Sequence, residues 1–192
     1  VNRPVKPLSI QTLDERPWEL PKWRLEHLMR MTDSTGLLQH AKYTLPNFAE
    51  GYCTDDNARA LQFVMHLEEM GLSTAETQRA TTCYAAFLDA AFEPGRRRFR
   101  NFLTFDRQWV QEDELGSDDC FGRSIYALGA CIGRSKQRAL RSWAMGVFHQ
   151  ALPHSLEIGS PRAWATTLLG IDEYLRRLEG DRIVSQIRAA LV

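Results

Sequence analysis

The sequence predicts an all-α fold, an α/α toroid built of helical hairpins, with about three hairpins present. Three observations predict it. Apolar residues recur at helical spacing along nearly all of the chain after residue 22. A phrase of glycine, capping residue, charged groups and small-residue apolar run occurs three times, at Gly51–Arg59, Gly116–Arg123 and Gly159–Trp164. Each occurrence opens a helix, and a second, amphipathic helix follows it.

Taken in order, residues 1–21 hold four of the eight prolines and read as an extended arm or linker, with Trp18 and Trp23 placed to pin it. Residues 22–192 form the toroid domain. Helical periodicity begins near Lys22, through Trp23, Leu25, Leu28 and Met29, and stops before Asp33-Ser34-Thr35-Gly36. A short apolar piece, Leu37–Tyr43, leads to a loop from Pro46 to Thr54. The first hairpin pairs Asp55–Met70 with Thr74–Phe92 across Gly71. The second pairs Asp118–Ile132 with Lys136–Leu152 across Gly133, and the third pairs Pro161–Leu178 with Asp181–Leu191 across Gly180. Between the first two, Arg96–Trp109 alternates basic and aromatic residues, as a short β-ribbon or an extended loop would.

The first helix of each hairpin carries small residues along its length: Ala58 and Ala60, then Gly122, Ala127 and Gly129, then Ala163 and Gly170. Glycine inside a helix costs about 1 kcal/mol relative to alanine, so its use needs a packing reason. Close approach of neighbouring helices supplies one. An inner ring of tightly packed helices, backed by amphipathic outer ones, follows from that pattern.

Composition narrows the function. Apolar content of 44%, charge of 25% and a net charge of zero match a soluble domain with no global field to recruit nucleic acid or an anionic membrane. No apolar run approaches the roughly 20 residues of a membrane span. Residues 1–21 hold no apolar core resembling a signal peptide, and a cytoplasmic location is expected. Four cysteines without any CxxC pairing signal neither zinc nor a disulfide framework. No metal and no cofactor is expected. HExxH, GxSxG and P-loop patterns do not occur.

Capping alone explains much of the repeated phrase: Thr54, Ser117 and Ser160 suit the N-cap, and Asp55, Asp56, Asp118 and Asp119 complement a helix N-terminus. It does not explain the arginines. Asp55–Arg59 and Asp119–Arg123 have ion-pair spacing on one helical face, and Arg162, opposing its helix dipole, should find an acid from a neighbouring repeat. Asp56 and Asp118 are thereby less committed and are the catalytic candidates. Two carboxylates flanking a cleft are the usual equipment for glycosidic bonds. Tyr52, Trp109, Trp164 and Phe121 offer rings on which a sugar could stack, and His40 sits just ahead of the first repeat. The substrate-binding candidates are therefore Tyr52, Asp55, Arg59, Trp109, Asp119, Arg123, Arg162, Trp164 and His40.

At Met31–Ala41 and Glu50–Leu61 the chain resembles a bacterial helical domain attached to, or encoded beside, group 1 glycosyltransferases. Asn101-Phe102, Asp106–Trp109, Gly116–Asp119 and Ser160–Ala165 continue the resemblance, which covers roughly residues 23–178. Such domains resemble the six-hairpin glycosidase-like (α/α)6 toroids, so the resemblance implies a carbohydrate ligand more than a particular reaction. Three hairpins amount to a partial (α/α)6 barrel. The expectation is therefore a fragment, or a half-toroid completed by a homodimer partner or by a missing half, and the resemblance implies an adjacent glycosyltransferase domain as a further partner. Three classes follow: a carbohydrate-active domain, a sugar-binding or scaffolding module without turnover, and a helical interaction protein in which the phrase only caps and pairs.

Overall fold

A computed structural model describes residues 24–110 and 116–192. The expected arm, with its pinning residues Trp18 and Trp23, lies outside the described residues. The fold is all-α: the described residues form seven α-helices, two short 3-10 helices and six two-residue strands. Helix α1 spans Glu26–Met31, α2 Thr54–Glu69, α3 Ala75–Ala91, α4 Asp118–Arg134, α5 Arg138–Ala151, α6 Pro161–Leu175 and α7 Arg182–Leu191. The strands form three antiparallel ribbons. β1 (Ala41–Lys42) pairs with β2 (Leu45–Pro46), β3 (Tyr52–Cys53) with β6 (Phe102–Leu103), and β4 (Phe92–Glu93) with β5 (Arg98–Phe99). The basic and aromatic stretch after α3 is thus ribbon rather than extended loop.

Helix α4 packs between α2 and α6, while α3 packs on α2, α5 on α4 and α7 on α6. The three central helices run parallel, because like ends meet. Arg123 in the first turns of α4 reaches Asp55 at the start of α2, and Arg162 at the start of α6 reaches Asp119 of α4. At the opposite ends, Arg134 of α4 bonds Glu69 of α2 and Glu173 of α6.

Glycine makes the α4–α6 contact possible. A Cβ on Gly122 would sit 3.1 Å from the Ala163 Cα, one on Gly129 within 2.8 Å of the Gly170 carbonyl carbon, and one on Gly133 within 3.1 Å of the Glu173 carbonyl carbon. The near-constant offset of these partners is that of two parallel helices in register. Gly133 therefore belongs inside α4 rather than in the turn expected there, and the turn falls at Ser135–Gln137. Tyr84, Phe121, Ile125, Leu128 and Phe148 are fully buried, so the core runs continuously around α4. No described helix is long and apolar enough to cross a membrane.

Candidate functional site

The N-terminal ends of α2, α4 and α6 form one polar rim, and local sequence explains how each is held. Ser117 and Ser160 accept hydrogen bonds from the Cys120 and Ala163 amides, as N-caps do. Thr54 departs from that expectation. Cys53 is the residue at the cap of α2, and the buried Thr54 hydroxyl instead donates to the Arg100 carbonyl at 2.6 Å. The first repeat is thus tied to the link between β5 and β6 where the other two are self-capped. Asn57, fully buried one turn into α2, accepts from the Leu37 amide at 2.8 Å and donates to the Cys53 carbonyl at 2.9 Å. Sequence reading overlooked it, although an asparagine within a helix interior is a signal of side-chain bonding to backbone.

Charge alternates along the rim. Arg59 contacts Asp56 at 2.9 Å and Asp55 at 3.3 Å. Arg123 lies 2.8 Å from Asp55. Arg162 grips Asp119 through two nitrogens, at 3.0 and 2.5 Å. One expectation changes here: Arg123 pairs across helices with Asp55 rather than within its own helix with Asp119. Asp119 is instead the neighbouring-repeat acid expected for Arg162. Each pair thereby ties neighbouring helices together, which an intrahelical pair would not do. Burial raises the pKa of Asp55 above the ordinary carboxylate value of 3.8, an effect that exceeds the lowering by Arg59 and Arg123. The arginines remain reachable: the side chains of Arg59 and Arg162 are 51% and 72% exposed.

Asp56 and Asp118, expected to be less committed, have partners and different neighbours. Asp118 accepts from Arg98 at 3.0 Å through one oxygen, and from the Gly159 and Ser160 amides at 3.1 and 3.2 Å through the other. It clamps the turn before α6 to the start of α4, and Arg98 also donates to the Gly116 carbonyl. Asp56 lines a cavity of about 520 Å³ between α1 and α2, whose walls include Leu25, Leu28, Leu38 and Phe63.

The aromatic candidates are mostly interior. Tyr52 is 1% exposed and its hydroxyl donates to Asp33 at 2.6 Å, while burial pushes its pKa up to about 12. Phe121 is fully buried. Trp109, half-buried, packs its edge on Phe87 and receives the Arg100 guanidinium over its ring. Trp164, also half-buried, donates to the Ile158 carbonyl at 2.9 Å. His40 is exposed beside ribbon β1–β2, where its carbonyl accepts from the Asn47 amide. Among the described residues the rings that face solvent are Tyr43, Phe48 and Phe105, none of which stood out as a site residue in the sequence.

The four cysteines are free thiols, and the described residues contain no cluster of three or more metal-ligating side chains. Comparison with protein-family models, with curated proteins and with solved structures finds no match to this chain.

Proposed function

We propose that this chain is a carbohydrate-binding helical domain that holds a glycan across the N-terminal rim of α2, α4 and α6. The observation that carries the reading is the alternation of Asp and Arg on three parallel helix starts, with both arginines at the rim's edge more than half exposed. Sugars present vicinal hydroxyls that donate and accept together. Paired carboxylates and guanidinium forks match them with several hydrogen bonds at fixed geometry. Binding is favoured over hydrolysis because a two-carboxylate mechanism needs an acid and a base facing one gap. Both oxygens of Asp118 are occupied by the protein's own donors.

The ring reading belongs to the same proposal. Parallel helices joined by glycine contacts are what half of a six-hairpin toroid requires. On α6, Ala165, Leu169 and Asp172 face solvent on one stripe, with Leu169 49% exposed. A second copy or a further set of hairpins would continue the ring along that stripe.

The test is calorimetric titration with malto-, cello-, manno- and chitohexaose, followed by chromatography of each mixture after overnight incubation. Binding of at least one hexaose, weakened about tenfold or more by Arg59→Ala or Arg162→Ala and without new reducing ends, is expected. Shortened products that vanish in Asp118→Asn would establish the hydrolytic alternative, and failure of all four hexaoses to bind would remove the reading.

A further inference from the structure

We infer that a stack of three aromatic rings beside the start of α2 is a second contact point for a sugar ring, an inference that rests on the carbohydrate reading. Phe48 stacks on Phe105 with ring centroids 4.5 Å apart and planes 21° from parallel. Phe105 lies in turn nearly parallel to the buried Tyr52, at 6.4 Å and 12°. The stack runs outward from the core and ends in water, with Phe105 46% and Phe48 53% exposed. Tyr52 is an anchor rather than a surface: its hydroxyl is fixed by Asp33, so the outer two rings sit on a rigid base.

Beside the stack lies a hollow of about 290 Å³, lined among others by Gln39, Glu50, Leu103, Thr104 and Val110. Ala49 and Thr104 of its wall adjoin Phe48 and Phe105 directly in the chain, so the hollow borders the stack, and Phe102 gives it an aromatic wall of its own. Its polar groups are unevenly used. The Thr104 hydroxyl is committed to Asp106 and Gln108, but the Glu50 carboxylate has no partner among the described residues. The Gln39 side-chain amide makes one long bond, 3.4 Å, to the Glu50 carbonyl. A flat apolar ring face next to a free carboxylate and a loosely held amide is the chemistry that takes a pyranose. The ring's C–H face leaves water against Phe48, and hydroxyls reach Glu50 and Gln39.

Tyr43, at the tip of ribbon β1–β2, is 92% exposed with φ of 58°, and Arg107, two residues after Phe105, has φ of 65°. Non-glycine residues held in the left-handed region are uncommon and gather at functional surfaces. The Arg107 guanidinium fixes its turn by donating to the Thr35 hydroxyl at 3.1 Å.

The experiment is saturation-transfer NMR and calorimetry of the whole chain with the four hexaoses, comparing Phe48→Ala, Phe105→Ala and Phe105→Tyr with the rim variants Arg59→Ala and Arg162→Ala. The expected result is binding weakened about tenfold by either alanine variant and restored by Phe105→Tyr, with melting temperatures close to the parent. Loss confined to the rim variants, with Phe48→Ala and Phe105→Ala binding as the parent does, would overturn the aromatic contact and leave the rim reading standing. Loss confined to Phe48→Ala and Phe105→Ala would keep the aromatic contact and remove the rim. If none of the four hexaoses binds the parent, both fall.

Discussion

Gly129 and Gly170 face each other where α4 and α6 come closest, and neither backbone has room for a methyl group. A Cβ on Gly170 would lie 2.6 Å from the Ile125 carbonyl oxygen and 2.8 Å from the Tyr126 Cα. Those neighbours are backbone and cannot move aside. Gly170→Ala should therefore destabilise the protein by about 2 kcal/mol in denaturant unfolding, as overpacking does. Gly146, in the middle of α5, has nothing within 4 Å of its would-be Cβ. There alanine should stabilise by about 0.5–1 kcal/mol through helix propensity alone. Opposite signs for two helical Gly→Ala changes would locate the tight packing at α4–α6, and equal signs would deny it. His66, near the end of α2, gives a residue-scale pH test. Burial, helped by Arg134, lowers its pKa below the ordinary 6.5. The unfolded chain then binds the extra proton first. Its contribution is complete above about pH 6.5 and is lost as pH falls through the lower folded value. Thermal melts from pH 7.5 to 5 should show a decline that His66→Gln flattens.

At the scale of elements, the C-terminal ends of α2, α4 and α6 are tied by a closed ring of charge. Arg134 bonds Glu69 and Glu173, and Arg176 contacts the same two carboxylates at 2.9 and 3.1 Å. Glu173 is 9% and Arg134 15% exposed, so removing one member strands charge in a poorly solvated place. Arg134→Ala should cost about 3 kcal/mol. Arg162→Ala, whose guanidinium is mostly in water, should cost under about 1 kcal/mol while weakening any glycan at the rim. The third hairpin depends on a smaller bond. The Tyr174 hydroxyl donates to Asp181 at 2.7 Å, and this holds the pKa of Asp181 below 3.8. The stability it supplies is present above pH 3.8 and is lost as pH falls through the lower folded value. Tyr174→Phe should soften that acid limb.

Helix number and order were legible because helical spacing and N-cap chemistry are local. Ser117 and Ser160 cap as their types predict. The glycines were legible for a similar reason, since each asks for a close neighbour wherever the helix lies. Partners were not legible. Spacing places Asp119 and Arg123 on one face of α4, but the parallel approach of α2 and α6 gives Arg123 to Asp55 and Asp119 to Arg162. The commitment of Asp118 was hidden for the same reason, since Arg98 and the Gly159 amide reach it from 20 and 41 residues away. Exposure of Phe48 and Phe105 was equally unreadable. An alternating aromatic stretch fits a core ribbon as well as a surface one, and Phe99 and Phe105 from the same stretch went opposite ways.

For the whole molecule, two consequences can be checked. If the ring continues at α6, Leu169→Arg should abolish a concentration-dependent dimer seen by sedimentation, because a buried unpaired cation costs several kcal/mol at an interface. A parent chain that stays monomeric at high micromolar concentration would show that the α6 stripe needs no second copy. The central claim is that the N-terminal rim receives a glycan, and its most direct measurement is the amide spectrum of the whole chain during titration with the four hexaoses. The account predicts shifts concentrated at 55–59, 118–123 and 159–163, the starts of the three parallel helices. Shifts concentrated instead at 66–70, 133–137 and 173–177, the opposite ends of the same helices, would contradict it, as would a spectrum that no hexaose changes.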